Sequence, residues 1–209
     1  MIDSIIFDVD GTLWDSTPIV AEAWNDVIKD QLHQDMNLTG DDLKRLFGRL
    51  LPEIAAVIFE NETQEEQLRL IDLCCEEEHR ALLNSPAPIY PGLEDALKVL
   101  SGKYRLFIVS NCQAGYIEVF LQATGLSRYF EGHLCPGDTG NAKAANISEV
   151  VSTYNLQSAV YVGDTAGDYK ATKEAGLPFI FASYGFGSVE TPDAVIASLD
   201  ELPKVVAAL

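Results

Sequence analysis

The feature of this 209-residue sequence that most constrains its fold is a series of short apolar runs rich in β-branched and aromatic residues. The runs cover residues 5–7, 106–109, 133–135, 160–162 and 179–182. Most of them are separated by helix-like stretches, and continuous apolar strands that alternate with helices indicate a parallel sheet covered on both faces. The sequence therefore predicts an α/β fold with a doubly wound parallel sheet.

The spacing of the runs is uneven in one place, because residues 8–105 lie between the first strand and the second. Neighbouring strands of a compact α/β unit need far fewer residues, so this interval holds an insertion. Its pattern is helical: helix formers dominate residues 18–32, and Thr63 with Glu66 forms a capping-box pattern ahead of an apolar helix face. We expect residues 16–86 to form a helical cap subdomain, and residues 1–15 and 87–209 to form the core domain.

Two aspartates, Asp8 and Asp10, follow the first predicted strand and are themselves followed by Gly11 and Thr12. Ligands of open α/β sheets bind outside the carboxyl ends of the strands, which places both carboxylates at the expected mouth of a site. Alternation along a strand would point them the same way. Such a pair suits a magnesium site, or a nucleophile paired with an acid and base. The alternative interpretation is a simple turn, because Asp-Gly is a common turn pair.

A second acidic pair, Asp164 and Asp168, follows the fourth predicted strand. N-capping of the next helix would explain one aspartate but not the recurrence of two carboxylates at the end of another strand. Four clustered aspartates would repel one another strongly unless a cation lay among them. The sequence therefore predicts a metal site.

A phosphate beside that metal would need further donors. Ser110 and Asn111 end the second predicted strand and lead into a helix, where a hydroxyl and backbone N–H groups can face an anion. Lys143 lies after the third strand, ahead of a helix predicted over residues 144–154, and supplies a cation. Taken singly, these residues also fit an ordinary turn and a solvated surface charge.

In this order, the four segments resemble the four motifs of the haloacid-dehalogenase superfamily, and the resemblance covers nearly the whole chain. The insertion resembles the C1-type helical cap of that superfamily. Residues 125–130 and 184–187 resemble segments of its phosphoglycolate-phosphatase-like members, and the chain is also similar to the β-phosphoglucomutase-like group. It departs from them at one point, because Ala144 follows Lys143 where such members often have proline.

The resemblance implies a magnesium-dependent phosphatase that hydrolyses a small phosphorylated metabolite, phosphoglycolate-like or a sugar phosphate. Asp8 would be the nucleophile that forms an aspartyl-phosphate, and Asp10 would be the general acid and base. The implied Mg²⁺ ligands are Asp8, the carbonyl of Asp10, Asp164 and, in support, Asp168. The implied phosphate-binding residues are Ser110, Asn111 and Lys143.

Several other functions remain open. A dehalogenase lacks the second aspartate of the first motif, so Asp10 argues against that chemistry. A sugar-phosphate mutase of the β-phosphoglucomutase type keeps every core motif and differs through its cap. Phosphonate hydrolysis would need a cap lysine that forms a Schiff base, for which Lys44 is a candidate. A non-catalytic phosphometabolite-binding protein would be expected to lack the nucleophile or a metal ligand, and none is missing.

Substrate choice points to the cap, where residues 47–50 resemble the end of the first cap hairpin in the same members. Gly48 permits a tight turn there. Arg49 would then hold a carboxylate or second phosphate of the substrate by a bidentate contact. An exposed arginine at a helix end is the alternative interpretation.

The acidic composition limits the partners. A formal net charge of -18 would repel nucleic acid and anionic lipid, so we expect a small-molecule substrate and neither a nucleic-acid nor a membrane partner. The four cysteines show no metal-ligand spacing, and no apolar stretch approaches the roughly 20 residues of a membrane span. We therefore expect a cytoplasmic protein with reduced thiols, and we favour a monomer.

Overall fold

The computed structural model describes residues 2–209 and contains a single parallel sheet flanked by helices. The strands are β1 Ser4–Phe7, β2 Arg105–Val109, β3 Gly132–Leu134, β4 Ala159–Gly163, β5 Phe179–Ala182 and β6 Ala194–Ile196. The helices are α1 Thr17–Leu32, α2 Gly40–Lys44, α3 Leu51–Ile58, α4 Gln64–Asn84, α5 Leu93–Ser101, α6 Tyr116–Thr124, α7 Pro136–Thr139, α8 Lys143–Thr153, α9 Ala166–Glu174 and α10 Leu202–Ala208.

The six strands lie in the order β3-β2-β1-β4-β5-β6, and all neighbouring pairs are parallel. This confirms the predicted doubly wound α/β fold. The direction of winding reverses at β1, which places the crevice expected for a ligand at the carboxyl ends of β1 and its neighbours. Phe7 of β1 is in register with Ile108 of β2 and with Val162 of β4, so these three strands end side by side.

Side chains of β1 alternate between two hydrophobic clusters, one on each face of the sheet. Ile5 and Phe7 belong to one cluster with buried residues of α1, α4, α5 and α6, whereas Ile6 belongs to the other, with residues of α8 such as Ile147 and Val150. The alternation of buried side chains explains why the strand is apolar throughout.

Helices α1 to α5 lie in the long interval between β1 and β2, and α1 packs against α4. Their buried residues, among them Val20, Trp24 and Leu70, belong to the same cluster as Phe7. None of the helices among residues 2–209 combines the length and apolar character that a membrane-spanning helix needs. All four cysteines are free thiols and are buried.

The structure corrects several local predictions. Strand β6 was not predicted, because it is a three-residue edge strand of which only Ile196 is buried. The third strand is shifted by one residue from 133–135. Thr63 caps α4 by accepting a hydrogen bond from the Glu66 N–H group, but the carboxylate of Glu66 binds Arg69, so the reciprocal half of the predicted capping box is not made.

Candidate functional site

The end of β1 places Asp8 between two neighbouring strands. Asp8 directly follows β1, Ser110 follows β2, and Asp164 follows β4, and all three residues are buried. The backbone N–H of Asp8 donates to the carbonyl of Val162 at 2.9 Å, which continues the ladder one residue past the strand. Parallel register therefore brings together polar residues that lie far apart along the chain.

Three aspartates form a compact acidic cluster in this crevice. One carboxylate oxygen each of Asp8, Asp164 and Asp168 lies within 4.8 Å of the others. The ammonium group of Lys143 reaches the cluster from the first turn of α8 and donates to Oδ1 of Asp8 at 2.7 Å and to Oδ1 of Asp168. The helix starts with Lys143, one residue before the start that the sequence predicts. Its side chain is only 4% exposed, so the structure does not place it as a solvated surface charge.

Burial makes the cluster electrostatically costly. Desolvation, with the nearby charge of Asp168, raises the pKa of Asp8 to about 6, although Lys143 acts in the opposite direction. Desolvation raises the pKa of Asp164 well above its ordinary value, and the charges of Asp168 and Asp8 raise it further. One ammonium group faces three carboxyl groups, and the remaining oxygen atoms have the hard character that Mg²⁺ prefers. The residues present therefore fit a divalent cation.

Asp168 also caps the helix that follows β4, as its position in the sequence allows. Its Oδ2 atom accepts hydrogen bonds from the N–H and hydroxyl groups of Thr165, at 2.9 and 2.7 Å, and so forms a capping box at the start of α9. Its Oδ1 atom faces Lys143. The helix cap and the acidic cluster therefore use different oxygens of one carboxylate.

Two loops hold Asp164 in place. The N–H of Phe186, in the loop after β5, donates to Oδ2 of Asp164 at 2.6 Å. Gly11 approaches the same carboxylate from the loop after β1, with a φ of +80°, and a Cβ atom there would lie 2.1 Å from Oδ2. Only glycine satisfies both the backbone conformation and the close approach.

Asp10 lies apart from the acidic cluster. Its Oδ1 atom accepts hydrogen bonds from the hydroxyl groups of Ser16 at 2.5 Å and Tyr116 at 2.8 Å. Desolvation raises the pKa of Asp10 to about 7, although both hydrogen bonds lower it. Strand β1 ends at Phe7, so Asp8 and Asp10 are oriented by the loop that follows and not, as the sequence predicts, by strand alternation. Both residues nevertheless line one pocket.

Ser110 and Asn111 also line this pocket, but their side chains have different hydrogen-bond partners. The Ser110 hydroxyl lowers the pKa of Asp8 through a hydrogen bond. The amide nitrogen of Asn111 instead donates to the carbonyl of Gly48 at 2.9 Å, and its buried oxygen has no partner among the described residues. Asn111 thus joins the core to the segment between α2 and α3.

Gly48 and Arg49, the two residues that the sequence assigns to substrate choice, face different surroundings. Gly48 has a φ of +89°, in agreement with the predicted tight turn, and it lines the pocket with Asp8. Arg49 is exposed and lines a different pocket, beside Thr165 and Phe186. Lys44 lines that second pocket too and forms an ion pair with Asp15 at 2.9 Å.

Residues that the sequence interpretation missed complete the pocket. Glu78 of α4 accepts a hydrogen bond from the indole N–H of Trp24 at 2.6 Å and another from the side-chain amide of Gln113. Glu78 is buried and falls on the apolar face of α4 together with Ile71 and Leu82. The sequence signal for Glu78 was a charged residue on the apolar face of a predicted helix. The lining residues are Asp8, Asp10, Trp24, Phe47, Gly48, Leu51, Ile54, Glu78, Ser110, Asn111, Cys112, Gln113 and Tyr116.

The pocket is small in this conformation. Its volume of about 30 Å³ holds roughly two water molecules. A larger pocket of about 640 Å³ adjoins it and shares the lining residues Leu51, Asn111, Cys112 and Gln113.

Comparison with known proteins identifies the family. The sequence model of the haloacid dehalogenase-like hydrolases matches residues 5–182. This is most of the chain, which therefore belongs to the haloacid dehalogenase-like hydrolase family.

Individual relatives cover nearly all of the chain. A plasmid phosphoglycolate phosphatase of Cupriavidus necator is 27% identical over 219 residues, covering 97% of this chain and 92% of the relative. A haloacid dehalogenase-like family protein from Streptococcus pneumoniae has a TM-score of 0.84 at 21% identity, with 98% of both chains covered. A 2-haloacid dehalogenase from Pseudomonas syringae pv. Tomato has a TM-score of 0.67 at 26% identity, covering 100% of this chain and 99% of that one.

Proposed function

We propose that this protein is a magnesium-dependent phosphatase that hydrolyses a small phosphorylated metabolite through an aspartyl-phosphate intermediate. The observation that carries the proposal is the arrangement at the end of β1, where Lys143 holds Asp8 within an acidic cluster while Ser16 and Tyr116 hold Asp10 outside it. The relatives named as phosphoglycolate phosphatases support the same reaction class.

The two aspartates would divide the work of the reaction. Asp8 attacks phosphorus and breaks the ester bond, and Asp10 gives its proton to the departing oxygen. Asp10 then takes a proton from the water that hydrolyses the aspartyl-phosphate. Ser16 and Tyr116 both bind Oδ1, which leaves Oδ2 for proton transfer, and a pKa of about 7 suits a group that acts as both acid and base.

The cation would be held by the carboxylates of Asp8 and Asp164 and by the carbonyl of Asp10, with Asp168 in support. When bound, Mg²⁺ would supply charge that offsets the repulsion between the nucleophile and the phosphoryl group. Lys143, the Ser110 hydroxyl and the donors of Asn111 would bind phosphoryl oxygens. Catalysis would then rest mainly on positioning and electrostatics.

We further infer that residues 16–86 act as a cap and residues 1–15 with 87–209 as the core. The cavity beside Asp8 has room for roughly two water molecules, so the cap must move away from the core to admit a phosphorylated metabolite. The hydrogen bond between Asn111 and Gly48 would break in that movement.

The structure bears on the rival reactions. Similarity to a 2-haloacid dehalogenase makes carbon–halogen hydrolysis the first alternative. Asp10, which that chemistry does not need, is held by two hydrogen bonds here, and this favours the phosphatase. For phosphonate hydrolysis, the ion pair with Asp15 raises the pKa of Lys44 and so disfavours it as an amine nucleophile.

We infer a small-molecule substrate, which the net charge of -18 supports, and a cytoplasmic location, which the four free, buried thiols support; a monomer stays a prediction. The proposed function is tested by release of inorganic phosphate from p-nitrophenyl phosphate and from small phosphomonoesters, with Mg²⁺ and with EDTA. Magnesium-dependent release supports the phosphatase. Conversion of a sugar phosphate to an isomer, with no phosphate released, would instead show a mutase.

A further inference from the structure

Glu78 is a buried acidic group that the proposed reaction does not use. It lies on the inward face of α4, is 3% exposed and lines the same pocket as Asp8 and Asp10. Both of its oxygens accept hydrogen bonds, Oε2 from Trp24 and Oε1 from Gln113. The carboxyl group is therefore held in a defined place in the wall of this pocket.

Among the described residues, the pocket around Glu78 lacks a compensating lysine or arginine, and burial lowers the pKa of His79, whose Nε2 atom lies 3.0 Å from the amide nitrogen of Gln113. The cap cations Lys44 and Arg49 line the separate pocket beside Thr165. Lys143 is bound to Asp8 and Asp168. A substrate group that reaches Glu78 would meet a carboxyl, an indole and a carboxamide, but no positive charge.

We propose that Glu78 selects against substrates whose leaving alcohol carries a negative charge, and that the preferred leaving alcohol is small, without an anionic group, and carries a hydroxyl or ammonium donor. This rests on the proposed phosphatase function and narrows its substrate class. A carboxylate or second phosphate on the leaving alcohol would face an acidic, desolvated wall. A hydroxyl or ammonium group would instead donate to Glu78, in the same way as Trp24 and Gln113 do.

Burial raises the pKa of Glu78 to about 8, with a smaller contribution from Asp10. A hydroxyl or ammonium donor beside Glu78 would favour its ionised form, whereas an anionic group would oppose its ionisation and would find no positive charge in its place.

Three phosphomonoesters of nearly equal size test the inference. Phosphoglycolate ends in a carboxylate, 2-hydroxyethyl phosphate in a hydroxyl and O-phosphoethanolamine in an ammonium group. With Mg²⁺ present, we expect kcat/KM for the hydroxyl and ammonium esters to exceed that for phosphoglycolate by at least about tenfold. Equal or better hydrolysis of phosphoglycolate would overturn the inference, and this comparison needs no variant.

The role of Glu78 itself is tested with Glu78→Gln, which keeps the size of the side chain, beside Glu76→Gln, an exposed neighbour on α4. Glu78→Gln should reduce the ratio of kcat/KM for the hydroxyl ester to kcat/KM for phosphoglycolate by about fivefold or more. Glu76→Gln should leave this ratio unchanged. An unchanged ratio in a folded Glu78→Gln variant would overturn the assignment. p-Nitrophenyl phosphate serves as the reference. If none of the four esters is hydrolysed, the proposed function itself is overturned. If they are hydrolysed but phosphoglycolate is not the poorest of the three small esters, only the role of Glu78 is overturned.

Discussion

The ammonium nitrogen of Lys143 lies 2.7 Å from Oδ1 of Asp8, although 135 positions separate the two residues in sequence. The same nitrogen binds Asp168, and all three side chains are almost fully buried. This lysine therefore carries the positive charge that permits the acidic cluster to form. The predictions below follow from that cluster and from the separate position of Asp10.

Replacement of the proposed nucleophile should stop turnover without unfolding the protein. Asp8→Asn is nearly isosteric, but an amide is a very poor nucleophile, so we expect kcat for p-nitrophenyl phosphate to fall by at least about a thousandfold. Thermal melting should stay cooperative. Asp26→Asn, an exposed change on α1, is the control and should keep full activity. Retained turnover in folded Asp8→Asn would show that another residue is the nucleophile.

Removal of the central lysine should lower both stability and activity. Lys143→Met leaves the carboxyl groups of Asp8 and Asp168 buried without their cation, and such a loss costs about 3–5 kcal/mol of unfolding free energy. Denaturant unfolding in EDTA measures the loss, and added Mg²⁺ should recover part of it. Lys170→Met, at an exposed position on α9, should change stability by less than about 0.5 kcal/mol. Equal stability of the two variants would contradict the proposed charge balance.

Magnesium should stabilise the folded protein as well as activate it. Binding to the folded state alone contributes about 2.7 kcal/mol when the free ion stands at a hundred times Kd. We expect a higher Tm with Mg²⁺, and a smaller rise in Asp164→Asn, which loses one carboxylate of the cluster. EDTA should abolish turnover reversibly. Full activity of metal-free protein would point to dehalogenase-like chemistry or to another site.

Proton transfer by Asp10 should appear in the pH profile. Its pKa of about 7 means that the acid form needed for leaving-group protonation is lost as the pH rises above 7, so kcat/KM should fall on the alkaline side. The Tyr116 hydrogen bond lowers this pKa, hence Tyr116→Phe should raise it and move the alkaline limb to higher pH. Tyr104→Phe, remote from the pocket, should leave the limb in place. If the alkaline limb of the Tyr116→Phe profile did not move, Asp10 would not be the general acid.

The protonation of Asp10 should also affect stability. Its pKa is higher in the folded protein than in the unfolded chain, so the folded state binds more protons between about pH 4 and 7. The contribution of this group to stability is full below its unfolded pKa and is lost as the pH rises through 7. Asp10→Asn should therefore lose less stability than the natural chain between pH 5 and pH 8, as measured by denaturant unfolding. An identical loss in both proteins would contradict the raised pKa.

The succession of apolar runs and helical stretches along the chain was sufficient to predict the architecture. The apolar runs before Asp8, Ser110 and Asp164 mark strands because a strand buried on both faces needs continuous apolar residues. Parallel strands end at one edge, so the polar residue after each run had to join the others. The missed strand β6 and the shifted start of α8 show where this signal weakens, at a short, half-exposed edge and at a helix end.

The sequence by itself determined the sheet, the inserted helices and the aspartates that line the crevice, because these depend on periodicity and on strand ends. Tertiary structure alone decided the partners of each group. It placed Tyr116 on Asp10, Trp24 on Glu78 and Asn111 on Gly48, and it kept Arg49 out of the pocket. Such contacts join residues distant in sequence, and their geometry depends on how the helices pack over the sheet, which no local pattern encodes.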